Sequence, residues 1–409
     1  MNVRIAVWSI LISSLMSVLS VTDVFAQTFY REENIRRVLQ GYQDLKGIRI
    51  GQAASLKATI SQEGLYDDNI FLSAEDKKHD FISITSPQFL LDVPVGKDAR
   101  HHLQVLYKAD AAAYSNYKNQ NYVNQGVVAL ADMSLPFGYL NVQNAFRDTV
   151  DRASTEFTNQ VRRNENLSRI IFGVKKNKFT YETGYIHFIS DYRDNDLEVL
   201  NHQEDIFTGT VYYQIFPKAR ALLEYNHGLI NYSNDETRDG DYDQFRTGVK
   251  FDLTGKTDGI VKVGYQQREY DSAGRSGFNG FVTEAGINTV FSERTSLSLN
   301  YDSTAVESID STNNYYNMNL IEANLTQNLR GNFDLVLTSR FERRDYPEAD
   351  PTANVKRRDT VLTEGITLKY KINKLGEINL GYRYTNDKSN IDSNEYKDNL
   401  ISLRFDLLI

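Results

Sequence analysis

From Ile48 to the C-terminus, apolar and polar residues alternate with a period of two, in segments of 11 to 15 residues separated by turns. The pattern is plainest at the end of the chain. There Ile401, Leu403, Phe405, Leu407 and Ile409 share one face of a strand, while Ser402, Arg404 and Asp406 share the other. The alternation predicts about eighteen strands, beginning with 48–60, 79–92 and 101–114 and ending with 376–388 and 395–408. Strands of this length can cross an outer membrane at a tilt. An even number is what a single-chain bacterial barrel requires. The fold class expected is therefore all-β, a transmembrane antiparallel up-and-down barrel.

The connections carry a second pattern. Tight turns are expected at Pro136-Phe137, Lys175–Lys178, Phe216–Ala219, Thr254–Lys256, Ser292–Arg294, Leu329–Asn332 and Asn373–Leu375. Longer polar connections fall between them at 61–78, 151–163, 192–202, 233–241, 346–356 and 389–394. Short periplasmic turns alternating with long external loops are a property of outer-membrane barrels. A soluble sandwich has no reason to keep that alternation. No repeat of 20–50 residues points to a propeller or solenoid.

The alternation also assigns faces. Val261, Val263 and Tyr265 oppose Lys262, Gln266 and Arg268; Phe333, Leu335, Leu337 and Phe341 oppose Asp334, Thr338, Arg340 and Glu342. A charge on the lipid face costs about 2–4 kcal/mol at the midplane, so the charged face must be the inner one. The expected lumen lining is Lys108, Arg147, Arg169, Arg246, Lys250, Lys262, Arg268, Arg340, Arg383 and Arg404. Asp110, Asp132, Glu182, Asp252, Asp334 and Asp406 accompany them. Mixed signs favour neutral or mildly charged polar cargo over strong ion selectivity.

Ahead of the alternating region the chain changes character. Arg4, an apolar run from Ile5 to Leu19 and Val24-Phe25-Ala26 read as a signal peptide over 1–26. In residues 27–47, Ile35, Val38, Leu39, Tyr42 and Leu45 recur at helical spacing, predicting a short amphipathic helix on the periplasmic side. Its expected roles are a tail on the rim, a plug in the lumen or a contact for a partner. The barrel is assigned to 48–409, in the outer membrane of a Gram-negative bacterium with both termini periplasmic.

Composition agrees with a barrel. Mean hydropathy is −0.48, which a barrel tolerates because only alternate residues need be apolar. Twenty-six Tyr and twenty-one Phe suit interfacial girdles, and the absence of Cys excludes disulfides and thiolate metal sites. A net charge of −8 argues against a nucleic-acid partner. Candidate catalytic groups do not converge: His79, His101, His102, His187, His202 and His227 fall in no ligand or nucleophile motif. No enzyme activity, metal or cofactor is expected. The acidic run Asn234–Asp243 lacks the ligand spacing of a calcium loop and reads as a solvated external loop. Expected partners are outer-membrane lipid and, through the C-terminal strand, the barrel-assembly machinery.

Gly64-Leu-Tyr-Asp-Asp-Asn-Ile-Phe71, followed by Asp80-Phe-Ile-Ser-Ile-Thr-Ser-Pro87, resembles the first hairpin of a known family. Its members are outer-membrane β-barrel porins found with exopolysaccharide and exosortase gene clusters. Gly264-Tyr-Gln-Gln-Arg-Glu-Tyr270 and, in part, Gly381-Tyr-Arg-Tyr384 are similar to that family's strand motif. The family-motif loop is Tyr66, Asp67, Asp68 and Asn69, where Asp and Asn side chains suit a strand-to-loop transition. The resemblance implies an exit conduit for a secreted exopolysaccharide, working with a periplasmic polysaccharide-export protein. A general or substrate-specific diffusion porin is the alternative, and a surface-structural or adhesive barrel the third reading.

Overall fold

The computed structural model describes Leu39 and residues 47–51, 53–96, 99–151, 160–310 and 312–408. Its strands are β1 (Ile48–Ile50), β2 (Ala54–Asp67), β3 (Asp80–Val95), β4 (His101–Tyr114), β5 (Tyr122–Leu135), β6 (Gly138–Asp151), β7 (Val161–Lys176), β8 (Phe179–Tyr192), β9 (His202–Phe216) and β10 (Ala219–Tyr232). They continue as β11 (Gly240–Asp252), β12 (Thr257–Tyr270), β13 (Phe278–Ser292), β14 (Thr295–Glu307), β15 (Tyr315–Arg330), β16 (Phe333–Ala349), β17 (Lys356–Lys371), β18 (Gly376–Ser389) and β19 (Tyr396–Leu408). From β2 to β19 each strand pairs antiparallel with the next, and β19 returns to β2 over Leu400↔Asp67 to Leu408↔Thr59. Eighteen strands thus close into a barrel. Closure leaves no edge, so backbone N–H and C=O groups are paired within the wall, as a hydrocarbon environment demands.

One boundary differs from the sequence expectation. The wall begins at Ala54, not at residue 48, and its first strand runs on to Asp67. Gly51 adopts a φ of +64°, the left-handed region open to glycine, and turns Ile48–Ile50 back onto β2 with Ile48↔Leu56 and Ile50↔Ala54 paired. The first long connection accordingly starts after Asp67 rather than at residue 61. The helix expected over 27–47 and the signal peptide fall outside the described residues, apart from Leu39 and Gly47. All the tight turns fall where expected, at one end of the barrel. The other end carries the longer connections, including three the sequence reading did not single out: 115–121, 271–277 and 308–314.

The two faces separate as the alternation requires. Ile401, Leu403, Phe405 and Leu407 are 50%, 49%, 50% and 49% exposed, whereas Leu400, which precedes them on the opposite face, is 4% exposed. Outward aromatics pair across strands at two levels. Phe179–Tyr213 and Phe333–Tyr370 lie near the short turns, with ring centroids 4.9 and 4.7 Å apart. Tyr185–Phe207 and Tyr225–Phe245 lie nearer the loops, at 5.3 and 4.6 Å. Amphipathic rings at two heights suit the two membrane–water interfaces.

Candidate transport pathway

All ten cations expected in the lumen lie on the strand face opposite the exposed apolar side chains. What the sequence did not disclose is how completely the structure pairs them. Arg246 on β11 binds Glu224, its direct cross-strand partner on β10, and reaches Glu284 on β13 at 3.1 Å. Lys262 on β12 binds the same two carboxylates at 3.1 and 3.4 Å. Gly264 makes this reach possible: it faces Arg246, and a Cβ there would sit 2.7 Å from the Arg246 Cγ. The glycine of the strand motif therefore clears the path for an arginine stem.

The same pairing recurs around the wall. Arg340 donates to Glu322 at 2.7 Å and to Glu342 at 2.6 Å, and Glu342 also accepts from Arg344. Arg404 donates to Asp406 at 2.7 Å, and Asp406 accepts from Ser61 and Asn379. Arg147 meets Glu165 at 2.5 Å, Lys108 meets Asp110 at 3.2 Å, and Arg268 binds Glu307. Lys250 lines a cavity at the short-turn mouth with Lys178, Lys218, Arg220 and Asp258. Arg169 and Arg383 lie on the same inner face, each engaged with its neighbours. The sequence reading placed Asp110, Asp406 and Glu342 on this face but did not name five other partners: Glu165, Glu224, Glu284, Glu307 and Glu322. The signal was available for Glu165, Glu224, Glu284 and Glu322, which alternate with outward residues as the cations do, whereas Glu307 shares the parity of the exposed Leu299.

The long-loop mouth is built by loops that cross it. Ile309 of the β14–β15 connection packs against an apolar cluster formed by Val161, Tyr192 and Leu200, the last from the β8–β9 connection, which Leu197 also joins. Those connections rise from strands five to six positions apart in the ring, about a third of the circumference, so the loops must fold inward to touch. Arg238, in the β10–β11 connection, is the hub. It is 2% exposed, lies over the Tyr232 ring at 5.6 Å, and donates to the Ser308 carbonyl at 3.0 Å and the Asp310 carbonyl at 2.7 Å. Arg275 of the β12–β13 connection donates to Asn314 Oδ1 and Thr237 Oγ1 at 2.8 and 2.9 Å. Four loops are thus tied together over one side of the mouth.

The run Asn234–Asp243 is solvated only in part: Asn234, Glu236 and Thr237 are exposed, whereas Arg238 is buried. Asp235 accepts from the Thr237 N–H and hydroxyl, Asp239 accepts from the Tyr232 N–H at 2.6 Å, and Asp243 accepts from Tyr225 and His227. Its carboxylates serve the fold. The histidines stay scattered: His187 pairs with Asp205 and His227 with Asp243 on the outer face, while His202 stacks on Tyr232 inside.

The family-motif loop seals the barrel. Asp67 Oδ1 accepts the Asn69 N–H at 2.8 Å, forming an Asx turn. Asn69 is fully buried; its Nδ2 donates to the Ser73 and Lys397 carbonyls at 2.9 and 3.0 Å, and its Oδ1 accepts the Ser73 N–H. Asp68 holds Asn399 on β19. Tyr66 is the exposed member and faces outward beside His79. Carboxylate oxygens of Asp67, Asp68 and Asp398 come within 4.8 Å of one another here. Asp80 of the following motif accepts from the Phe81, Asn116 and Tyr117 N–H groups and so organises the 115–121 loop.

A closed antiparallel barrel with an apolar outer belt, a charged inner wall and inward-folded loops is an outer-membrane porin-like channel. The chain belongs to the family described as "Putative beta-barrel porin 2", whose model matches residues 138–407. No curated protein sequence matches it. Among solved structures it is similar to a BenF-like porin from Pseudomonas fluorescens Pf-5, with 10% identity, TM-score 0.50, and 87% of this chain and 99% of that one covered. It is also similar to Pseudomonas aeruginosa OccK2 (OpdF) in complex with glucuronate, with 9% identity, TM-score 0.49, and 87% and 98% covered. At such identities the likeness is one of fold.

Proposed function

We propose that the protein is a passive outer-membrane channel for small hydroxylated solutes of little net charge. The observation that carries this reading is the mutual neutralisation of the inner wall, seen best in the Glu224–Arg246–Lys262–Glu284 cluster. Paired charges of both signs offer many hydrogen-bonding groups with little net field, which suits neutral polar cargo better than ions. The loops tied by Arg238 reduce the outer mouth and favour short solutes over a bulky polymer. In this reading the short-turn end, where both ends of the barrel wall lie, is periplasmic.

Exit of a secreted polysaccharide is the second reading, favoured by the first-hairpin motif and its resemblance to porins of polysaccharide gene clusters. A sugar polymer presents the same hydroxyl chemistry to the wall. Proteoliposome swelling with sugars of increasing length, beside the secreted polysaccharide of a deletion strain, separates the two. A sharp size limit with normal secretion supports the diffusion channel. Lost secretion with polymer trapped in the periplasm supports the exit conduit and overturns the first reading.

A further inference from the structure

One cross-strand row of the inner wall is apolar. Leu90 on β3, Leu106 on β4, Val128 on β5, Ala145 on β6, Leu167 on β7 and Phe188 on β8 are direct cross-strand neighbours in an unbroken row. All six are between 0% and 6% exposed. The row is bounded by charge: Lys57 pairs with Leu90 at one end, and Glu204 pairs with Phe188 at the other. A water-filled lumen gives no reason for such a belt, because apolar wall groups facing water forgo burial.

Two observations identify what covers it. Leu39, 1% exposed, is a member of the same buried cluster, although it belongs to the segment preceding the barrel. The chain also enters at the edge of the belt. Gly47 abuts the stem of Lys57, where a Cβ would lie 2.9 Å from the Lys57 Cγ, and Lys57 is the cross-strand neighbour of Leu90. We propose that the belt is the internal seat of residues 27–46, which enter the barrel from the short-turn rim, dock on it through Leu39 and narrow the pore from within. The sequence supplies the matching surface: Ile35, Val38, Leu39, Tyr42 and Leu45 recur at the spacing of one helical face. An apolar stripe set against an apolar belt explains both, and the charges at the belt's ends bound the footprint.

The chain has no cysteine, so single cysteines report cleanly. Leu130→Cys, placed within the same cluster, is reacted with a charged, membrane-impermeant maleimide in the full mature barrel, in a variant lacking 27–46 and in a Leu39→Asp variant. The expected result is slow labelling in the full chain, accelerated by about tenfold or more in the other two, as for a docked segment that is released. Single-channel conductance rises in parallel. Equal labelling in all three, or a conductance unchanged by removing 27–46, overturns the proposal and assigns the cover to another occupant. Where the deletion fails to assemble, Leu39→Asp decides, since it keeps the full chain. Rapid labelling of Leu39→Cys overturns the proposal on its own.

Discussion

Asp68 accepts two hydrogen bonds from Asn399, one from the backbone N–H and one from Nδ2, both at 2.7 Å, across 331 residues of sequence. With Asn69 donating to the Lys397 carbonyl, this pins the first wall strand to the last at the loop end of the seam. The Tyr-Asp-Asp-Asn motif is therefore a closure element. Asp68→Ala is expected to destabilise the folded barrel by about 1.5–3 kcal/mol, the range for hydrogen bonds to a charged group. Asn399→Ala should cost less, because its backbone N–H still donates to Asp68, and the double variant less than the sum, because both changes remove the Nδ2 bond. Urea titration of the heat-modifiable form measures this, and additive losses would contradict it.

The facing of the closing strand gives a second test. Leu403 is exposed to the lipid side, so Leu403→Arg should cost about 2–4 kcal/mol if it lies near the midplane and deplete the heat-modifiable species. Arg404→Gln should be mild, because Asp406 keeps its bonds from Ser61 and Asn379. Equal damage from the two substitutions would reverse the assigned faces.

Topology is read by tags. Asn195 and Asp350 stand in long connections, while Lys176 and Lys256 flank tight turns. Tags at the first two should be cut by protease added to intact cells, and tags at the last two should be spared. The opposite pattern would invert the barrel in the membrane.

Arg238 ties the long-loop mouth. Arg238→Ala removes the donors to Ser308 and Asp310 and should loosen the β10–β11 and β14–β15 loops. The expected outcome is a higher single-channel conductance with unchanged heat-modifiability. A smaller conductance, or none, would show that the loops hold the mouth open rather than reduce it.

The barrel was legible in the sequence because lipid on one side and charge on the other impose a period of two that tight turns cannot blur. The first strand was misplaced because Ile48–Ile50 carries the same alternation as the wall, and only the left-handed turn at Gly51 detaches it. The cations of the inner face were legible for the same reason, but their partners were not. Whether Arg246 meets Glu224 depends on cross-strand register, which a single sequence leaves open. Arg238 was illegible for another reason: nothing local to an acidic loop says that it will fold across the mouth and bury its one arginine. The row from Leu90 to Phe188 was likewise hidden, because the belt exists only once six strands are aligned.

The central claim, a passive pore whose wall charges neutralise one another, is tested most directly by the reversal potential of the purified protein in planar bilayers under a potassium chloride gradient. The prediction is weak selectivity in the wild type, with cation and anion permeabilities within about threefold. Glu224→Gln should shift the reversal potential toward anions, and adding Arg246→Gln should bring it back. Strong selectivity in the wild type, or a potential indifferent to Glu224→Gln, would contradict the account.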